Sequence, residues 1–69
     1  MDKKTAEKLI TQVRDLARVL NDMSHESMGI EDEAARQQYR KNLGEIMGQV
    51  DSNLRKYITD RFPELDVVP

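Results

Sequence analysis

Cysteine is absent from the 69 residues, tryptophan is absent, and histidine occurs once. Each absence removes a class of function. Without cysteine there is no disulfide and no thiolate metal site. A reducing compartment fits that usage, and cytoplasmic is the expected location. One histidine cannot supply a multi-histidine metal centre from a single chain. Aromatics are limited to Tyr39, Tyr57 and Phe62. No apolar run approaches the length of a membrane span. The opening "MDKKTAEKL" contains no apolar stretch of the kind that drives secretion, so no signal peptide is expected.

Length allows one small domain over residues 1–69. A chain of this size is marginal alone unless it is stapled or oligomeric. Charged residues make up 35% of it and apolar residues 38%, in a pattern too regular for a disordered chain. Net charge is −2, from 11 basic and 13 acidic side chains, without the basic excess usual for a nucleic-acid binder.

What is present is periodicity. Ala6, Leu9, Ile10, Val13, Leu16, Ala17, Leu20 and Met23 recur at spacings of three and one, which place them on one helical face. Asp2 or Thr5 caps that helix. A second face runs through Tyr39, Leu43, Ile46, Met47, Val50, Leu54, Tyr57 and Ile58. Its helix begins behind the acids Glu31, Asp32 and Glu33, with Asp32 as the expected cap. It stops at Phe62, because Pro63 cannot continue the hydrogen-bond ladder and disfavours helix at the preceding residue. Between the helices, Gly29 suits the left-handed position that ends a helix. The expected fold is all-α: an antiparallel two-helix hairpin, with helices at about 3–27 and 32–61 and a short tail at 63–69, completed to a four-helix bundle by dimerisation.

The stretch "LNDMSHESMGIEDEAARQ" raises the one question of chemistry. Asp22, His25 and Glu26 stand at helical spacing and could share a face. Helical geometry points Asp22 and His25 away from a stripe centred near Val13 and Leu20, and no neighbouring segment supplies further ligands. The expectation is a solvated histidine near a helix end, with no metal, no cofactor and no catalytic residue. "GEIMG" places Gly44 and Gly48 four apart, and Gly44 borders the apolar face, where a close helix approach would fit. Met23, Met28 and Met47 read as core filling before they read as an adaptable binding surface. No phosphate loop, nucleophile elbow or Ser/His/Asp set occurs, so the chain is not expected to be an enzyme.

Charge is unevenly spread. Residues 22–33 hold Asp22, Glu26, Glu31, Asp32 and Glu33 with no lysine or arginine, a charge of −5 at the turn. At the open end, Lys3, Lys4 and Lys8 oppose Asp2 and Glu7, while Arg55, Lys56 and Arg61 oppose Asp60, for a net +3 that Glu64 and Asp66 partly offset. Acids at a helix start and bases at its end also complement the helix dipole.

The apolar stripes are wider than one hairpin contact can bury. The expected function is therefore a small soluble helical interaction protein, a regulator or adaptor. It acts through a face drawn from Leu9, Val13, Leu16, Leu20 and Met23 on the first helix. On the second helix the face draws from Tyr39, Leu43, Ile46, Met47, Val50, Leu54, Tyr57 and Ile58. The expected partner is a protein, either a second copy or another helix, and not a membrane. Alternatively, the tail residues Leu65, Val67 and Val68 fold back over the face and leave a monomer. The runner-up function is a nucleic-acid-binding hairpin that uses the basic open end with Arg36, Arg40 and Lys41.

Overall fold

A computed structural model describes residues 1–66, and every regular element in them is helical. Helix α1 covers Lys3–Glu26 and passes into a 3₁₀ turn at Ser27–Gly29. Helix α2 covers Glu33–Gln49, a π-helical segment follows at Val50–Arg55, and α3 covers Lys56–Arg61. A last 3₁₀ turn occupies Pro63–Leu65. The result is a hairpin measuring 46 × 18 × 17 Å.

Local chemistry sets the ends. Asp2 caps α1 by accepting from the Thr5 N–H at 3.0 Å, and Asp32 caps α2 by accepting from the Ala35 N–H at 2.8 Å. Truncating Asp32 to alanine leaves that donor to water and should cost about 0.5–2 kcal/mol, read as a lower midpoint in urea. Phe62 breaks the second arm with φ −131° and ψ 75°, the extended bias that Pro63 imposes.

Gly29 differs from expectation. Neither it nor any other described residue has positive φ; it closes the 3₁₀ turn instead. A left-handed cap is unnecessary because side chains of α2 take over the loose carbonyls of the turn. Arg40 Nη1 donates to the Ser24 carbonyl at 2.7 Å and to Ser27 Oγ at 2.9 Å. Arg36 Nη1 donates to the Ile30 carbonyl at 3.0 Å. Gly44 and Gly48 also differ, since a methyl group at either would meet nothing within 4 Å. Gly44 therefore marks no close helix approach. Gly44→Ala should stabilise the protein by up to about 1 kcal/mol through helix propensity alone, measurable as a rise in melting temperature.

The hairpin contact follows the positions 6, 10, 13, 17, 20, 24 and 27 on α1. Ala6, Ile10, Leu20 and Ser27 are buried, and Val13 and Ser24 are half-buried. From the other arm come Leu43 and Ile58, both buried, with Met47, Val50 and Phe62 half-buried. At the open end, Ala6, Ile10 and Ile58 form a cluster against which Val13, Phe62 and Leu65 pack. The tail is tied down there: Arg14 donates to the Leu65 carbonyl at 3.1 Å, Arg55 Nη1 reaches Asp66 at 2.8 Å, and Lys3 pairs with Glu64 at 3.5 Å. Val67 and Val68 lie outside the described residues.

The π segment changes which side chains meet. A π turn carries one extra residue within a helix without altering the faces beyond it. Lys56 N–H accordingly reaches back five residues, to the Asp51 carbonyl. Ser52 Oγ bonds the Gly48 carbonyl at 2.6 Å, a local competitor for a backbone acceptor. After the extra residue the buried positions are Ile58 and Thr59, while Leu54 and Tyr57 face outward at 46% and 50% exposure.

Candidate interaction face

With the contact side assigned, eight large apolar side chains besides Met1 and Met28 stay exposed, and they fall on one flank. On α1 they are Leu9, Leu16, Val19 and Met23, at 36–53% exposure. The first, second and fourth are spaced by seven, the repeat of a helix-packing stripe. Across from them stand Tyr39, Ile46, Leu54 and Tyr57, at 40–50% exposure. At the open half this flank dips into an apolar groove of about 320 Å³, floored by Val13 and Ile58 and walled by Leu9, Leu16, Leu54 and Tyr57. Leu65, one of the tail residues expected to fold back, packs against the Ala6–Ile10–Ile58 cluster instead of the flank.

The thirteen residues expected on the apolar face thus divide. Leu20, Leu43 and Ile58 are buried within the hairpin, and Val13, Met47 and Val50 are half-buried between the two roles. Leu9, Leu16, Met23, Tyr39, Ile46, Leu54 and Tyr57 stand outward. The width of the apolar stripes in the sequence already sets Leu16, Val19 and Met23 on one flank of the first helix, and Tyr39, Ile46 and Tyr57 on one side of the second. Periodicity did not single out Ala6 as the most buried side chain, at 0% exposure.

Asp22, His25 and Glu26 are all exposed on α1, and among the described residues no group of three or more metal-ligating side chains comes together. His25→Ala should leave the unfolding free energy, read from urea denaturation, within about half a kcal/mol of wild type, as an exposed substitution away from caps and core does.

The basic residues are largely engaged with the fold itself. Arg36 and Arg40 serve the turn, as described. Arg61 stacks on the Tyr57 ring at 3.8 Å and donates to the Tyr57 carbonyl at 3.2 Å. Arg55 bridges Asp51 and Asp66. Its hydrogen bond holds the Asp51 carboxyl below the ordinary carboxylate value, and Thr5, through its side chain first and its backbone N–H second, does the same for Asp2. Because both are lowered in the folded state, their contribution is present above the ordinary value near 3.8 and is lost as pH falls through the folded values. Thermal melts should therefore hold steady down to about pH 5 and decline below about pH 4.

No family model, curated protein or solved structure matches the chain.

Proposed function

We propose that the chain is a non-catalytic helical interaction protein, a regulator or adaptor, that works by docking the Leu9–Tyr57 flank onto other helices. The observation that carries this reading is the flank itself: eight apolar side chains of two helices, all at least one-third exposed, on one side of a hairpin whose own core is thin. Among the described apolar residues only Ala6, Ile10, Leu20, Leu43 and Ile58 are buried. An exposed apolar flank of this kind marks an interaction site. A four-helix bundle built from two hairpins is the simplest assembly that covers it.

The test compares wild type with Leu16→Glu, which charges the flank at its centre. Hydrodynamic size is measured both for purified protein and in extract of the native host. Wild type should run larger than 8.0 kDa in at least one setting, and the variant should run smaller. A wild type that runs as the single chain in both, with a melting temperature independent of concentration, would overturn the reading.

A further inference from the structure

We infer that the flank is covered by a second copy of this chain, docked antiparallel, so that each acidic turn lies beside the other copy's basic open end. The inference rests on the interaction reading above and names its partner and orientation. Exposure is the first argument. The eight apolar side chains of the flank stay 36–53% exposed on one side of the hairpin.

Spacing is the second. Leu9, Leu16 and Met23 are evenly spaced, so a two-fold axis crossing the helices at Leu16 maps the stripe onto itself. Leu16 then meets its own copy, and Leu9 meets Met23 of the other chain, about 10 Å along the helix on either side. On the second arm the same axis brings Tyr39 to Tyr57 and Ile46 to Leu54. The levels agree with contacts inside the hairpin: Arg40, next to Tyr39, reaches Ser24, and Ile58, next to Tyr57, packs on Ile10. Such self-complementary contact is what a two-fold interface requires.

Charge is the third argument and selects the orientation. With both turns at one end, α1 would lie over the other copy's α2, and the apolar stripes would still match. That arrangement gathers two acidic turns at one end, five carboxylates in each against the two guanidinium groups of Arg36 and Arg40 that reach back to it. Like charges clustered within a Debye length of about 8–10 Å repel, and such juxtaposition discriminates between otherwise similar dockings. In the antiparallel arrangement Glu26 falls at the level of Lys4 and Lys8 of the other copy. Arg61 falls near Glu31 and Glu33.

Two measurements on purified full-length protein test this. Sedimentation equilibrium at micromolar concentration should give twice the mass of the chain. The cysteine-free sequence then allows a single spin label at Gly29→Cys, a site with open space around it. The expected label separation is about 40 Å, the rise of some 26 helical residues. A dimer with labels closer than about 20 Å would overturn the orientation while leaving the interaction reading intact. A purified monomer that runs larger only in host extract would overturn the second copy as occupant, again leaving that reading intact. A single chain in both settings would remove both. Oxidising a Leu16→Cys variant gives an independent readout. A disulfide-linked dimer should form in high yield, because only the antiparallel axis brings the two positions within the 4.4–6.8 Å between Cα atoms that a disulfide needs. Failure to cross-link in a protein that still dimerises would count against the axis.

Discussion

Leu43→Asp should convert this protein into an unfolded chain at room temperature, and Leu20→Asp should do the same. Both side chains are nearly enclosed, at 4% and 6% exposure, and they stand on opposite arms of the hairpin. An unpaired carboxylate in such a place costs several kcal/mol, or must take up a proton to avoid that cost. Against this stands a small reserve of stability. A core with five buried apolar residues, in a domain under about 70–80 residues, seldom supplies more than about 3–5 kcal/mol. The loss thus equals or exceeds the whole. Far-UV circular dichroism should show the helical signal collapse in both variants. Retained helicity with an unchanged melting temperature would mean that the assignment of the inner stripe is wrong.

The inner stripe and its caps were legible in the sequence because each rests on local chemistry. Three- and four-residue spacing fixes a face, Asp2 and Asp32 offer acceptors to free N–H groups, and Pro63 ends the second arm. The all-helical hairpin follows from those features, and the helix ends differ by about one residue from their expected places. Two things were not legible. The turn looked as if it needed a left-handed glycine, because sequence spacing does not show that Arg36 and Arg40, on the following helix, supply donors to the carbonyls of the preceding one. The register of the second arm beyond Val50 was also hidden. Val50, Leu54, Tyr57 and Ile58 satisfy regular helical spacing as a single face, so periodicity has no reason to invoke an extra residue. The competition is tertiary. A regular helix would turn Leu54 and Tyr57 inward, whereas the π segment turns Ile58 inward to meet Ala6 and Ile10 and leaves Tyr57 for the flank. Packing decides between the two registers, and the apolar pattern of one helix does not contain its partner's shape.

That competition yields an asymmetric prediction for changes of chain length. Deleting Asn53, an exposed residue inside the π segment, should be tolerated. With the extra residue gone, the arm becomes continuous α-helix and the residues beyond it keep their faces: Ile58 and Phe62 inward, Leu54 and Tyr57 outward. π turns are rare and α-helix is the preferred local state, so the deletion should leave stability unchanged or slightly raised. Inserting one alanine between Asn53 and Leu54 should do the opposite. The arm already holds one residue more than a regular helix can place, and a second would rotate everything beyond it by about 100°. Ile58 and Phe62 would leave the cluster, exposing Ala6 and Ile10. The loss should resemble that of large-to-small core substitutions, about 2–5 kcal/mol, which approaches the full stability of so small a core. Urea unfolding of the two variants beside wild type separates the possibilities. If the second arm were regular α-helix with Leu54 and Tyr57 inward, the deletion would be the damaging change, because it would swing those side chains out of the hairpin. A destabilised deletion variant beside a stable insertion variant would therefore rule out the π register, and with it the outward placement of Tyr57.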